Sequence, residues 1–229
     1  VALLRRIETE LLDILPADDA AAVRSRRDLR LLNAIMLHPG IMARRMLRHA
    51  VDTPRRIIEL GAGDGSLMLR LSRRLARHWR GVAIVLVDQK DAIPSETRKA
   101  IAKLGWRENQ ITQDVFEYLA KAESADIVIA NLFLHHFQPS QISEVFTRCA
   151  KLAPLFIALE PRRATLPLLG SRLVWLLGCN HVSRHDAVAS VRAGFRDHEL
   201  SALWPKQQGW TLDEGGVGLW SHCFVARKC

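Results

Sequence analysis

A carboxylate–glycine loop, a strand-end aspartate and a small set of histidines are the parts of this chain equipped to hold a reactive ligand or move a proton. In Ile57-Ile58-Glu59-Leu60-Gly61-Ala62-Gly63-Asp64-Gly65-Ser66 an apolar run ends in a carboxylate and meets glycines at alternate positions. Glycine opens backbone angles closed to other residues and carries no Cβ, so a ligand can lie against the main chain. The free N–H groups of a following helix would face that ligand. A dinucleotide loop has the spacing Gly-x-Gly-x-x-Gly and seats a pyrophosphate on the helix N-terminus. The spacing here is Gly-x-Gly-x-Gly, with Glu59 two residues before the first glycine. A carboxylate there repels a pyrophosphate and suits a ligand that carries an ammonium group. Asp88 closes the apolar run Val82-Ala83-Ile84-Val85-Leu86-Val87. An acid at that place accepts hydrogen bonds from ribose hydroxyls, a use shared with NAD enzymes. His135, His136, His181 and His185 are the candidate bases.

These residues need elements to hold them. Apolar runs at 57–60, 82–87, 125–131 and 155–160 read as strands buried on both faces, and 110–116 as a weaker strand followed by a loop. Helical spacing fills the gaps at 67–79, 92–104 and 139–152. Strands alternating with helices predict a parallel sheet with right-handed crossovers and a ligand beyond the strands' carboxyl ends. Glu59, Asp88, Asp114, Asn131 and Glu160 all fall at such ends. Asp126 begins its strand too early to meet a ligand and reads as structural.

Residues 1–52 read as a helical arm, from Leu3, Leu4, Ile7, Leu11, Leu12 and Leu15 at three- and four-residue intervals to a break at His38-Pro39-Gly40. Such an arm covers a sheet edge or closes over a pocket, and both readings stand. Residues 53–229 form the core of what reads as one domain. Towards the C-terminus two helices, about 166–177 and 183–193, are expected, with Ser183 as the N-cap of the second. The segment 198–204 and the run 219–226, joined by the Gly-rich stretch 213–218, then read as two antiparallel strands.

The 229 residues include 48% hydrophobic and 25% charged side chains, as in an ordinary globular domain, and carry a net charge of +9. That charge is mostly arginine in scattered pairs such as Arg44-Arg45 and Arg73-Arg74, without interleaved aromatics, which disfavours nucleic acid as a partner. The four cysteines show no Cys-x-x-Cys spacing, so neither a zinc site nor a disulfide framework is expected, no metal is assigned, and a reducing cytoplasm is the expected location. No run reaches the ~20 apolar residues of a membrane span. The first ten residues lack a signal-type apolar core.

The strand–Glu-x-Gly-x-Gly-x-Gly–helix pattern resembles the first motif of the class I S-adenosylmethionine-dependent methyltransferases. Leu134-His135-His136-Phe137 after Asn131 resembles the fourth motif of the ubiquinone-biosynthesis-like and other small-molecule members. The resemblance implies a Rossmann-like α/β fold, seven strands with an antiparallel last strand, and the N-terminal helical arm. It implies S-adenosyl-L-methionine as cofactor and S-adenosyl-L-homocysteine as product. Glu59, Gly61, Ala62, Gly63, Gly65, Asp88, Gln89, Asp114, Val115, Asn131 and Leu132 would bind it, Asp114 beside the adenine amino group unless it is a plain loop aspartate. His136, His135 and His185 become the candidate catalytic residues, with backbone or core hydrogen bonding as the alternative for the first two and a surface pair with Asp186 for the third. The implied activity is methylation of a small-molecule acceptor, foremost O-methylation of a phenolic, polyketide or quinone-like compound. C-methylation of a quinone precursor and RNA methylation are the alternatives. Against RNA, the fourth motif begins Asn131-Leu132-Phe133-Leu134 and lacks Pro-Pro-Tyr. A homodimer is compatible with everything above.

Overall fold

The computed structural model describes residues 3–16, 18–206 and 208–229. Val1 and Ala2, where the arm was expected to begin, lie outside the described residues. The chain builds a seven-stranded sheet in the order β3-β2-β1-β4-β5-β7-β6. The strands are β1 (Arg56–Leu60), β2 (Ala83–Asp88), β3 (Arg107–Thr112), β4 (Ile127–Asn131), β5 (Leu155–Pro161), β6 (Trp210–Val217) and β7 (Ser221–Lys228). The first five are parallel; β7 pairs antiparallel with β5, and β6 with β7. The chain therefore has the α/β, Rossmann-like architecture with antiparallel final strands.

The near-continuous apolar strands are explained by helices on both faces. Ile57, Ile84, Ile127 and Ile157 point to one core, with α3 (His38–His49) and α4 (Ser66–Leu75). Their neighbours Ile58, Val85, Val128 and Phe156 point to the other, under α6 (Val115–Lys121) and α7 (Pro139–Leu152). On that second face Phe146, Phe156, Trp204 and Phe224 form an aromatic cluster with ring centroids 5.0–6.1 Å apart. α5 (Ser95–Lys103) completes the first half of the fold. Asp126 is structural, as expected: its Oδ2 accepts from the backbone N–H groups of Arg55 and Arg56 at 2.7 and 2.8 Å.

Four local expectations are corrected. The arm is not helical throughout: residues 3–10 run without helix, and α1 is only Leu11–Ile14, before α2 (Ala20–Ile35). Tertiary bonds replace helical ones there, from Arg6 N to Arg192 O and from Arg163 Nε to Leu3 O. The loop expected after β3 instead enters α6 directly, because Asp114 caps it through the N–H groups of Phe116 and Glu117. Helix α9 (His181–Ala193) starts from Asn180, whose Oδ1 accepts from Ser183 N at 2.9 Å; Ser183 is not the cap, and its hydroxyl turns to Asp28 and Ser25. Residues 199–203 form the short helix α10, not a strand, and the Gly-rich stretch lies mostly inside β6. Glycine suits that place because the Arg162 guanidinium packs over Gly216, about where a Cβ would sit.

Candidate functional site

The carboxyl ends of β1, β2 and β4 open into a cleft of about 370 Å³, to whose lining the arm contributes Glu10, Asp13, Arg26 and Arg30. Glu59, Gly61, Ala62, Gly63, Asp88, Gln89, Val115, Asn131, Leu132, His135 and His136 line it, so the structure brings eleven of the expected residues together. Gly65, Asp114 and His185 are not among the lining residues. Gly65 is the left-handed residue that caps α4 (φ 68°). Asp114 sits between the lining residues Gln113 and Val115, with Oδ1 on the α6 cap and Oδ2 taking Gln89 Nε2 at 2.8 Å. His185 is half-exposed and donates from Nδ1 to Asp186, whose carboxylate holds the Leu11 and Leu12 N–H groups at the start of α1.

Sheet geometry sets the glycine loop. Gly61 and Gly63 adopt φ 71° and 54°, a region that only glycine enters without strain. A Cβ on Gly61 would lie 2.3 Å from the Phe133 ring, so the loop and the turn after β4 pack directly together. The Gly61 and Ala62 amides donate to Val87 O, and the Gly63 amide donates to Asp88 Oδ2 at 2.8 Å. Asp88 Oδ1 takes Lys90 N at 2.9 Å. Each Asp88 oxygen keeps a further lone pair for a hydroxyl.

Glu59 is buried, and its Oε2 has no partner among the described residues. Burial first, then Asp64 and Asp88 nearby, push its carboxyl well above the usual range. A buried acid with an unfilled acceptor, flanked by two more acids, is a site for a donor or cation and hostile to phosphate. From the arm, Arg26 and Arg30 also line the cleft, and Arg30 pairs with Asp64 at 2.5 Å.

After β4 the backbone turns sharply at Leu132, which holds φ 51°, and enters a 3-10 turn, Leu134–His136. Glu160, fully buried at the end of β5, clamps this turn. Its carboxylate accepts from the N–H groups of Phe133, Leu134 and His135 and from His135 Nδ1 at 2.8 Å. The other His135 nitrogen meets Glu10 Oε1 at 3.2 Å, and Ser190 Oγ donates to the same carboxylate. Burial would depress the imidazole, but hydrogen bonds and charge from Glu10 and Glu160 raise it to about 9. Burial likewise works against Glu10, and the bond and charge of His135 hold it down at about 2. His135 is thus an imidazolium between two carboxylates at neutral pH. Glu10, His135 and His136 bring ligand-type atoms within 4.8 Å, yet both His135 nitrogens are taken by carboxylates, so a proton fills the role a cation would have.

His136 is different. It lines the cleft, its ring lies 4.2 Å from that of His135, and its Nδ1 stands 3.2 Å from Asp13 Oδ2 on the arm. An Nδ1–H given to a carboxylate leaves Nε2 as the basic nitrogen.

Glu10, Asp13, Arg26, Arg30 and His38 are polar residues in or beside the cleft that sequence reasoning missed. His38 is fully buried: it donates from Nδ1 to Asn131 Oδ1 at 2.6 Å and accepts from the Ser221 hydroxyl at Nε2. Burial lowers its pKa to about 4, against the pull of Asn131, so it is neutral and fixes the Asn131 amide. The His-Pro-Gly segment holding it had read only as a helix break. Glu10 and Asp13 sit among the arm's leucines, and nothing in their spacing marks them.

The geometry agrees with the comparisons. The family model described as "Methyltransferase domain" matches residues 57–153, the segment from β1 to the end of α7. No curated protein matches the sequence. Among solved structures, the plantazolicin methyltransferase BpumL in complex with S-adenosylhomocysteine is similar with a TM-score of 0.64 at 12% identity, over 93% of this chain and 92% of that one. An O-methyltransferase family protein from Burkholderia thailandensis gives 0.57 at 16% identity, over 93% of this chain and 61% of that one. Magnesium protoporphyrin IX methyltransferase from Synechocystis PCC 6803, with bound S-adenosylhomocysteine, gives 0.53 at 15%, over 92% and 88%. At such identities the likeness shows a shared fold. Residues 57–153 therefore resemble a methyltransferase domain, and the whole chain shares the fold of these S-adenosylhomocysteine-binding methyltransferases.

Proposed function

We infer that the chain O-methylates a small phenol-like acceptor, with His136 as general base and Asp13 holding the base in place. The observation that carries this reading is the Asp13–His136 pair on the cleft wall, beside a His135 enclosed between Glu10 and Glu160. When bound, S-adenosylmethionine supplies a methyl group activated by its sulfonium. The chain's own residues do the rest. Glu59 offers its unfilled oxygen to the ammonium group, Asp88 its spare lone pairs to the ribose hydroxyls, and Arg26 and Arg30 stand where a carboxylate can pair. The apolar walls Leu29, Leu67, Phe133 and Phe137 exclude water and hold the acceptor oxygen in line, and such positioning supplies roughly 7–11 kcal/mol.

A phenol has a pKa near 10, so a base is needed at neutral pH. His136 Nε2 would take the acceptor proton as that oxygen replaces sulfur on the methyl carbon, the methyl–sulfur bond breaking to leave S-adenosylhomocysteine, and Asp13 would steady the resulting imidazolium. A cleft of about 370 Å³ under an arm suits a small molecule better than a nucleic-acid strand. The reading places the chain in the cytoplasm, where the cofactor is made.

The test is a screen of phenols and quinols with methyl-labelled cofactor, followed by His136→Ala and Asp13→Asn. Loss of the base should cost about 10²–10⁴-fold in kcat, with S-adenosylhomocysteine affinity unchanged. Asp13→Asn should lower kcat and alter its pH profile. Wild-type turnover in both variants, or a methyl group found on carbon, would overturn the assignment.

A further inference from the structure

The segment from Pro161 to His185 contains four arginines and no aspartate or glutamate. It folds as helix α8 (Thr165–Arg172) and a 3-10 turn, Val174–Leu177, ahead of α9. Its side chains Leu166, Leu169, Leu173, Trp175, Leu176 and Leu177 are between 46% and 63% exposed. Singly exposed leucines are ordinary, but six large apolar side chains within twelve residues form a patch.

The patch is not a frayed end. Gly170 packs so closely on Trp220 that a Cβ would lie 2.5 Å from its ring, and Arg24 Nη2 reaches across from α2 to Gly178 O at 3.3 Å. Pro167, Ser171, Val174 and Cys179 are buried beneath it. The segment is therefore anchored, with its apolar side turned outward.

Charge decides what covers it. Arg162, Arg172 and Arg184 are exposed on the same segment, without a carboxylate in the sequence between them. A second copy of a chain with net charge +9, meeting face to face about a two-fold axis, would bring these arginines against their own counterparts. An anionic lipid surface attracts each of them, and leucines with a tryptophan beside arginines suit the boundary between headgroups and acyl chains. We propose that this face docks the protein on anionic bilayers, the leucines and Trp175 inserting shallowly while Arg172 and Arg184 stay at headgroup level. The docking is peripheral: among the described residues no helix is long and apolar enough to cross a membrane. It does not depend on the identity of the methyl acceptor.

The test uses the full chain, without cofactor or acceptor, sedimented with vesicles of phosphatidylcholine containing phosphatidylglycerol and with phosphatidylcholine alone. The wild type should pellet with the anionic vesicles, weakly with the neutral ones, and less as salt rises. Arg172→Glu/Arg184→Glu should partition at least about 30-fold more weakly, the equivalent of ~1 kcal/mol for each lost arginine. Trp175→Ser/Leu176→Ser, at exposed positions that leave the core intact, should also stay in the supernatant. Two results would overturn the proposal: a wild type that does not pellet, which together with a dimer that the serine pair dissolves would make a second copy the occupant; or pelleting untouched by the serine pair, which reduces it to unspecific charge.

Discussion

Glu10→Gln should cost stability in a way that depends on pH, because this residue helps hold His135 as a buried imidazolium. The folded pKa of His135 is about 9 against an ordinary 6.5. A group raised in this way stabilises fully below its unfolded pKa and loses the contribution as pH rises through the folded value. At 1.36 kcal/mol per unit, wild-type His135 contributes about 3 kcal/mol at pH 6 and less than about 0.5 kcal/mol above pH 9. Glutamine keeps an acceptor for Nε2 and for Ser190 but removes one of the two carboxylates. If the carboxylates share the effect evenly, the variant is less stable by about 2 kcal/mol at pH 7, and the gap closes by about pH 9.5. Urea unfolding of both proteins from pH 6 to pH 10 measures this, and their difference cancels every other titrating group. The arm is fastened through the same carboxylate, so limited proteolysis at residues 3–16 should quicken in parallel. A constant gap across the range would mean that Glu10 acts through packing alone and that His135 is not charged.

Two further outcomes concern the cofactor end of the cleft. Asp88→Ala removes hydrogen bonds of roughly 1.5–3 kcal/mol each, so S-adenosylhomocysteine should bind about a hundredfold more weakly by calorimetry; unchanged affinity would contradict the ribose role. Glu59→Gln should weaken ligand binding yet stabilise the free protein by about 1 kcal/mol or more, since it removes a buried acid whose Oε2 lacks a partner. Because burial and Asp64 raise the Glu59 pKa, that gain should be absent in acid and grow as pH rises past the ordinary carboxylate range; a variant less stable at every pH would contradict it.

The sheet was legible in the sequence because its strands are buried on both faces, so β1, β2, β4 and β5 appear as unbroken apolar runs. The glycine loop and Asp88 were legible for a related reason: backbone angles and a strand-end acid leave a local mark. The edges were less so. β3 alternates partly exposed polar residues, and β6 runs through two glycines at the sheet's margin, where pairing with β7 overrides their low strand propensity. Residues 3–10 have helical spacing but are held by partners more than 150 residues away, such as Arg163 and Arg192, which no local pattern can show. Separation along the chain also hides the site's most informative contacts. His135 and His136 are adjacent and look alike, and only Glu10, Asp13 and Glu160, brought from the arm and from β5, enclose one between two carboxylates and set the other beside a single one on the cleft wall.

A cleft between Gly61 and Asp88 with a buried acid, flanking carboxylates and no phosphate-type glycine spacing should take a nucleoside bearing an ammonium group and refuse one bearing phosphate. Calorimetric titration of the purified chain with S-adenosylhomocysteine, and separately with NAD and ATP, tests it most directly. Saturable one-to-one binding of S-adenosylhomocysteine is expected, with no heat of binding from NAD or ATP. Uptake of NAD or ATP in place of S-adenosylhomocysteine would contradict it.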